Sequence, residues 1–229
     1  MKSLSLIIPV YNSEKIIKRT ILAYSKHFSK EFPKMEIIVV CNACTDNTEE
    51  KCNELKREVP LKVVIAPKRG KGNAMIKGFR STKYDLIGFL DADNPFDLKE
   101  VSKMISLLKS NDMVIATKFK EGQLKLQTSV LRRIFSLGNA IVSRIFFKLN
   151  FQDTQAGAKF MKKKVWSGID GDFVCTGFEF DIELLYRAKT KGYKIVEYYI
   201  PPKVSDFSTV KMSILPGILY RLFKLRISR

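Results

Sequence analysis

The residue types that bind zinc or form disulfides are scarce in this sequence. The chain has one histidine and four cysteines among 229 residues. Cys41 and Cys44 have the spacing of a zinc or redox pair. The remaining candidates do not form a second pair; they are Cys52, Cys175 and His27. Because a structural zinc site needs four such ligands, we expect none here and interpret the cysteines as free thiols of a reducing compartment.

Long apolar runs are also missing. No apolar stretch approaches the roughly 20 residues that a helix needs to cross a bilayer. The apolar run at residues 4–10 is not followed by the small-residue cleavage site of a secretory signal peptide. We therefore expect a cytoplasmic protein that is neither exported nor membrane-spanning by itself.

Acidic residues are few compared with basic ones. The chain carries 23 acidic and 41 basic residues, a net charge of +18. Such an excess predicts attraction to a polyanion: nucleic acid, anionic lipid or the phosphates of a nucleotide. The 45% hydrophobic content, with only 12 glycines and 8 prolines, predicts one ordered domain with a substantial core.

Strand-like and helix-like segments alternate along the chain. The strand candidates are residues 4–10, 36–40, 62–66, 86–90, 113–117 and 193–200, and residues 153–161 are expected to form a turn followed by a strand. Helices are predicted near residues 16–28, 48–57, 74–80, 97–109 and 179–191. This alternation predicts an α/β fold with a mostly parallel, doubly wound sheet. Ligands of such sheets bind at the carboxyl ends of the strands.

Two carboxylates follow the strand predicted at residues 86–90. Asp91 and Asp93 flank Ala92, and strand alternation would point both carboxylates the same way. Like charges so close repel unless a cation lies between them or one takes a proton. The pair is therefore a hard-metal site or a shared-proton dyad, and an ordinary turn at the strand end is the simpler alternative.

Two segments are amphipathic, basic and free of acidic residues. They are residues 124–149 and residues 211–229. This profile is typical of helices that lie on an anionic membrane surface. A helix that packs on the core and leaves a basic side in solvent would give the same pattern.

Six motifs, in order along residues 4–199, resemble the family 2 glycosyltransferases of the GT-A fold. They are Ile8-Pro9-Val10-Tyr11-Asn12, the turn at residues 37–48, Arg69-Gly70-Lys71-Gly72-Asn73-Ala74, Asp91-Ala92-Asp93, Asp153-Thr154-Gln155-Ala156-Gly157-Ala158-Lys159 and Phe180-Asp181-Ile182-Glu183-Leu184. Within the family the chain is most similar to polyprenyl-phosphate sugar transferases, typified by dolichyl-phosphate glucosyl- and mannosyltransferases. The resemblance implies a Rossmann-like domain over residues 1–210, with interfacial helices at 124–149 and a basic amphipathic tail at 211–229.

The resemblance also implies a role for individual residues. The donor nucleotide and its phosphates would contact Pro9, Tyr11, Asn12, Asn42, Lys71, Gly72 and Asp91. Asp91 and Asp93 would hold Mg or Mn against the donor diphosphate. Asp93 and Asp181 are the catalytic candidates, since Asp181 stands where relatives that use a hydroxyl acceptor place their base. The sugar and acceptor pocket would comprise Asp153, Thr154, Gln155, Gly157 and Glu179.

The implied reaction is inverting transfer of a sugar from a nucleotide-diphosphate sugar to a polyprenyl phosphate, on the cytosolic face of a membrane. A phosphate monoester is already largely ionised at neutral pH, so it needs positive charge rather than a base. The candidates for that charge are Arg132, Arg133, Arg144 and Lys211. A membrane-spanning partner remains open, and nucleic acid is not an expected partner.

Three other functions also fit parts of the pattern. A glycosyltransferase that uses a sugar hydroxyl would need Asp181 as its base. A nucleotidyltransferase could share the phosphate loop and the metal carboxylates. A non-enzymatic nucleic-acid binder would explain the net charge alone.

Overall fold

The computed structural model describes residues 3–93, 95–119, 144, 146–201 and 215–227. The first half of the chain alternates strands and helices as predicted. Its elements are β1 (Ser3–Val10), α1 (Ile17–Phe28), β2 (Lys34–Asn42), α2 (Thr48–Glu54), β3 (Leu61–Ala66), α3 (Lys71–Arg80), β4 (Leu86–Leu90), α4 (Leu98–Ser106) and β5 (Met113–Thr117). The described residues of the second half form β6 (Ala158–Lys162), α5 (Lys163–Ile169), α6 (Phe180–Thr190), β7 (Ile195–Tyr199) and α7 (Leu215–Ile227). Short 3₁₀ turns, Leu55–Arg57 and Leu107–Lys109, extend α2 and α4.

The described strands form one seven-stranded sheet in the order β3-β2-β1-β4-β6-β5-β7. Strand β6 runs antiparallel to both of its neighbours, β4 and β5, and all other pairs are parallel. The mostly parallel sheet is therefore confirmed. Strand β6 enters the sheet beside β4, so the residues that precede it arrive at the carboxyl end of β4.

Helices cover both faces of the sheet. Alternate side chains of the central strands point to opposite faces, so that Leu6 and Ile8 join one core and Ile7 joins the other. The first core is closed by α1, α2 and α4. The second is closed by α3, α5, α6 and α7. The tail predicted as a basic amphipathic segment thus contains a helix, α7, that packs one side on the second core.

Three local differences separate the structure from the sequence interpretation. Helix α3 begins at Lys71 rather than near Ala74, which makes Lys71 its first residue. Helix α5 was not predicted. Strand β4 ends at Leu90 as predicted, but Asp91 to Asp93 lie in a turn, so strand alternation does not orient the two carboxylates. In the parts of the chain that the structure describes, no helix is long and apolar enough to cross a bilayer.

Candidate active site

The turn after β4 is held from two sides by hydrogen bonds. The Asp91 amide donates to the Gly157 carbonyl at 2.9 Å, and the Tyr24 hydroxyl donates to the Asp91 carbonyl at 2.7 Å. The Thr20 hydroxyl donates to the Ala92 carbonyl at 2.7 Å. Helix α1 and the segment before β6 therefore fix the backbone that presents the two carboxylates.

The Asp91 carboxylate lies close enough to Asp93 to act on it electrostatically, although the two residues lie in a turn and not in a strand. Burial, and next the Asp91 carboxylate, raise the pKa of Asp93. Burial raises the pKa of Tyr24 well above its usual value, and both carboxylates add to that rise. The expected pair of neighbouring negative charges is therefore present, but a turn produces it.

The pair fits a divalent cation that takes further ligands from a substrate. The described residues contain no cluster of three or more histidine, cysteine, aspartate or glutamate side chains that could hold a metal alone. Mg²⁺ is commonly held by one or two carboxylates together with substrate phosphates. The mutual repulsion seen in the pKa of Asp93 is what a cation would relieve.

Gly157 lies against the Asp91 carboxylate. A Cβ atom at this position would stand 2.2 Å from Asp91 Oδ2. This contact is closer than atoms in van der Waals contact can come, so only glycine lets the chain pass here while Asp91 keeps its position. The sequence predicts Gly157 in the acceptor pocket, and the contact observed in the structure is with the Asp91 carboxylate.

Lys71 connects Asp91 with the second carboxylate predicted as catalytic. Its Nζ atom lies 3.3 Å from Asp91 Oδ1 and 3.5 Å from Asp181 Oδ2. Burial by itself lowers the pKa of Lys71, but Asp181 and then Asp91 outweigh it and raise the pKa. Lys71 is therefore a fixed positive charge between the two carboxylates.

A second lysine, Lys159, closes the other side of Asp181. Its Nζ atom lies 2.8 Å from Asp181 Oδ1, and both side chains are almost fully buried. Lys159 donates a hydrogen bond to the Ala156 carbonyl at 2.8 Å, whereas its contact with Asp181 Oδ1 lacks hydrogen-bond geometry. Burial lowers the pKa of Lys159. Asp181 is thus enclosed between two ammonium groups and shielded from solvent.

The backbone amides in the first turn of α3, where phosphate binding was predicted, donate to carbonyls of the protein. The amides of Gly72 and Asn73 donate to the carbonyls of Gly177 and Thr176, each at 3.1 Å. A Cβ atom at Gly72 would approach the backbone of Thr176 to 2.7 Å. The Gly72 amide is therefore engaged within the protein, and phosphate binding by Gly72 stays a prediction. This glycine allows close packing of residues 175–177, and Lys71 remains a phosphate-binding candidate.

Asn42 was predicted among the donor-nucleotide contacts, and the structure shows that its side chain bonds within the protein. Its Nδ2 atom donates to the Lys68 carbonyl at 2.8 Å, and its Oδ1 atom accepts from the Gly70 amide at 2.8 Å. The residue is buried. The Asn42 side chain therefore holds the loop from Lys68 to Gly70, and both its nitrogen and its oxygen have partners within the protein.

The other donor candidates line the carboxyl ends of β1 and β2. Pro9 is half-buried and lies in register with Val40. Asn12, at φ 47°, exchanges two hydrogen bonds with Thr45, at 3.0 and 2.8 Å. Tyr11 is exposed, and the guanidinium of Arg69 lies 4.4 Å from the centre of its ring. An exposed aromatic ring and a cation thus stand at this edge of the sheet.

The segment that begins at Asp153 is tied to β7. The amides of Gln152 and Asp153 donate to Glu197 Oε1 at 2.7 and 3.2 Å, and the Gln155 amide donates to Asp153 Oδ1 at 3.1 Å. Thr154 is buried. Burial raises the pKa of Glu197, and Arg144 opposes that rise. The Arg144 side chain is therefore near enough to the Asp153 segment to act on it electrostatically.

Glu179 was predicted in the sugar and acceptor pocket, and the structure engages it elsewhere. It is fully buried at the start of α6, where its Oε1 atom contacts Arg221 Nε of α7. Oε2 contacts Arg221 Nη2 at 3.3 Å, and Oε1 also accepts from the Gly177 amide at 2.9 Å. Both oxygens are occupied by donors of the protein, so Glu179 is a structural link to α7.

Some expected site residues cannot be placed, and others were missed. Arg132, Arg133 and Lys211 lie outside the described residues. Lys159, Tyr24 and Arg221 were not predicted as site residues. A lysine in the middle of a strand could have been a signal for Lys159, because an unpaired lysine is almost never buried.

Comparison with known proteins supports a glycosyltransferase. An undecaprenyl-phosphate mannosyltransferase of Micrococcus luteus is 26% identical over 213 residues, which cover 90% of this chain and 86% of that protein. A dolichol-phosphate mannosyltransferase of Pyrococcus furiosus is 27% identical over 197 residues, which cover 84% of this chain. The chain spans only about half, 54%, of the length of that second relative.

Solved structures share the fold at low identity. Glucosyl-3-phosphoglycerate synthase of Mycobacterium tuberculosis, crystallised with UDP, has a TM-score of 0.69 at 17% identity and covers 98% of this chain and 80% of its own. The same enzyme has been crystallised with Mn²⁺ and UDP-glucose. Mannosyl-3-phosphoglycerate synthase of Rubrobacter xylanophilus has a TM-score of 0.71 at 15% identity, with coverages of 99% and 74%.

A family profile settles the class of protein. The profile of Glycosyl transferase family 2 matches residues 5–182, well over half of the chain. The match begins in β1 and reaches α6, so it includes the carboxylate turn and both lysines that enclose Asp181. The chain therefore belongs to glycosyl transferase family 2 and is a glycosyltransferase with the GT-A fold.

Proposed function

We propose that the protein transfers a sugar from a nucleotide-diphosphate sugar to a polyprenyl phosphate. Two relatives with this class of lipid acceptor in their names support the proposal, and they cover 90% and 84% of the chain. The reaction would invert the configuration of the sugar. It would take place at an anionic membrane surface on the cytosolic side, where the net charge of +18 favours binding.

The enclosure of Asp181 is the observation that carries the proposal. A sugar hydroxyl must lose a proton during transfer, so a hydroxyl acceptor needs a general base. Asp181 is the carboxylate at the position where such relatives place their base. Here its two oxygens face Lys71 and Lys159, and the side chain is 1% exposed. Both oxygens are thus turned toward lysines and shielded from solvent, which leaves neither open to a hydroxyl acceptor, whereas a phosphate acceptor arrives already ionised.

The transfer itself can be written without a base. An oxygen of the acceptor phosphate forms the new bond to the anomeric carbon of the sugar, and the bond from that carbon to the donor diphosphate breaks. The electron pair of the broken bond leaves with the nucleotide diphosphate. Asp91 and Asp93 would hold a divalent cation, Mg or Mn, which supplies charge neutralisation to the diphosphate when bound. Lys71, at the start of α3, is placed to add a second positive charge there.

Arg144 is the described candidate for binding the acceptor phosphate. It is exposed, and its charge acts on Glu197, which holds the Asp153 segment. Arginine binds phosphate through two parallel hydrogen bonds, which favours it over lysine for this role. Arg132, Arg133 and Lys211 complete the proposed set by their position in the sequence alone.

Steady-state kinetics with a short-chain polyprenyl phosphate test this proposal. The purified protein is given radiolabelled nucleotide sugars with the lipid phosphate, the corresponding polyprenol or a simple sugar as acceptor. We expect product with the phosphate alone. Arg144→Ala should raise the KM for the acceptor and leave the donor KM nearly unchanged. Arg57→Ala is the matched control, because Arg57 is exposed beyond α2 on the opposite face of the sheet.

One outcome would contradict the proposed reaction, and another would contradict the proposed role of Arg144. Transfer to the sugar and not to the lipid phosphate would favour the hydroxyl-acceptor reaction. An equal rise of both Michaelis constants in Arg144→Ala would remove Arg144 from the acceptor site while leaving the reaction itself unaffected.

A further inference from the structure

Helix α7 is apolar on two opposite sides. Ile218, Leu222 and Leu225 are buried in the second core. On the outer side Tyr220, Phe223 and Ile227 are 66%, 63% and 69% exposed. These three recur at a spacing of three and four residues, so they share one face of the helix. We call them the outer face of α7.

An exposed apolar face of this kind indicates a binding surface. Monomeric proteins rarely expose clustered large apolar side chains without a binding role. Helices with apolar residues all round are normally buried on all sides. Among the residues that the structure describes, the second core packs on the inner side of α7. The outer face is therefore suited to a partner that is itself apolar at the point of contact.

The charge around the outer face identifies the class of partner. Helix α7 has no acidic residue, and Lys224 and Arg226 are exposed beside the apolar residues. Aromatic side chains flanked by basic ones are typical of segments that insert at the boundary between lipid headgroups and acyl chains. A second copy of this chain would also bring a net charge of +18, which opposes self-association. An anionic bilayer offers apolar and negative surface together.

The same helix is joined to the active site by a continuous series of contacts. Arg221 of α7 binds the buried carboxylate of Glu179. Glu179 accepts from the Gly177 amide, and the Gly177 carbonyl accepts from the Gly72 amide. Gly72 follows Lys71, whose ammonium contacts Asp91 and Asp181. The position of α7 is therefore linked through these contacts to Lys71, which lies between Asp91 and Asp181.

We infer that the outer face of α7 inserts into an anionic bilayer and that Arg221 transmits this contact to the first turn of α3, which carries Lys71. The inference rests on the proposed lipid acceptor, and it assigns the contact with the membrane to three named side chains. In this arrangement Arg221 is a positioning residue. Contact with the membrane orders the first turn of α3. The lipid acceptor is found at that same membrane.

Flotation with vesicles tests the docking face without any substrate. The probes are vesicles of phosphatidylglycerol with phosphatidylcholine, and of phosphatidylcholine alone. We expect the wild type to float with the anionic vesicles, less so at high salt. The double variant Tyr220→Ser/Phe223→Ser should bind roughly tenfold more weakly or worse, because two large apolar groups no longer leave water. Ile65→Ser is the control, since Ile65 is an exposed apolar residue on β3, an edge strand.

Hydrogen exchange tests the coupling. The amides of Gly72, Asn73 and Gly177 each have an acceptor within the protein, so their exchange reports opening of the loop. Anionic vesicles should slow exchange at residues 70–73 and 175–179 in the wild type. Arg221→Met should still float but lose this added protection. Arg221→Lys, which keeps the charge, should retain part of it.

Several results would overturn the inference. They are equal flotation of the wild type and the double variant, no flotation of the wild type, or a wild-type dimer that the double variant cannot form. If anionic vesicles leave the rate of hydrogen exchange at residues 70–73 unchanged, membrane contact is not coupled to these residues. Failure of the proposed function appears separately, as absence of transfer to a short-chain lipid phosphate in detergent, because flotation and exchange use neither donor nor acceptor.

Discussion

Lys159 places its ammonium group 2.8 Å from the Asp181 carboxylate in a part of the protein that solvent barely reaches. One partner comes from the middle of β6 and the other from the first turn of α6. Lys71 approaches the same carboxylate from α3. Three elements of the second core therefore meet at one buried negative charge, and the stability and the chemistry of the site both depend on it.

The pair should show strong energetic coupling. Lys159→Met leaves Asp181 with one ammonium partner, and Asp181→Asn leaves Lys159 buried without a counter-charge. Each change should lower the free energy of unfolding by about 3–5 kcal/mol. The double variant should lose clearly less free energy of unfolding than the sum of the two single losses, because the second change removes a charge that is already unpaired. Urea unfolding of the four proteins measures this, and additivity within about 0.5 kcal/mol would show that the two charges act independently.

Asp93→Asn should abolish turnover that depends on a divalent cation while leaving the fold intact. Asp93 is an exposed residue in a turn, so its amide analogue needs no repacking, but it removes one of two negative charges that a cation would share. Asp85→Asn is the matched control, since Asp85 is an exposed aspartate just before β4 and Asp93 follows the end of that strand. Activity is assayed with and without a chelator. Wild-type turnover that persists in the chelator would refute the metal assignment.

Asn42→Asp should weaken donor binding without changing base preference. The carboxylate keeps an acceptor for the Gly70 amide but cannot donate to the Lys68 carbonyl, so two oxygen atoms would face each other. We expect a loss of stability of about 1–3 kcal/mol and a similar loss of affinity for every nucleoside diphosphate. Asn53→Asp, at an exposed position of α2, is the control. A selective change for one base in calorimetric titrations would show instead that Asn42 reads the base.

Glu197→Gln should change how stability depends on pH. Burial raises the pKa of the Glu197 carboxyl, so the folded protein holds this proton more tightly than the unfolded chain does. The contribution of Glu197 to stability is therefore gained as pH falls through its folded pKa and lost as pH rises. Glutamine keeps an oxygen for the two amides but does not titrate. Compared with the variant, the wild type should be relatively more stable near about pH 5 than near neutrality. A constant difference in urea midpoints would contradict this.

The architecture was predictable because its signals are local. Apolar β-branched runs marked β1, β2 and β4, and their alternation with helices indicated a parallel sheet. The antiparallel β6 was not predictable in this way, because strand direction depends on pairing between distant parts of the chain. Helix α5 is only seven residues long, Lys163–Ile169, and starts with two lysines, so its periodicity is weak.

The site was predicted in its residue types but not in its contacts. The sequence indicated Asp91, Asp93, Lys71 and Asp181, and the structure brings these side chains, or their charges, together. The contacts that Asn42, Gly72 and Glu179 make within the protein were not foreseen, for a common reason. Each is a polar group or an amide whose partner lies far away in sequence, and motif spacing does not show whether a protein group or a ligand will satisfy it.

The insertion of β6 beside β4 has a consequence for the order in which the protein folds. Strands β1, β2 and β3 pair through connections that each contain one α-helix, so their contacts close short loops. Strand β4 pairs with β1 and with β6 across much longer stretches of chain, through register partners such as Leu4 with Leu86 and Leu90 with Ala158, and such contacts form slowly. Strands β1 to β3 should therefore pair first, and the carboxylate turn that follows β4 should take its place later. Gly157 and Lys159 arrive with β6, so the catalytic pocket is completed only when the last strand pairs are made.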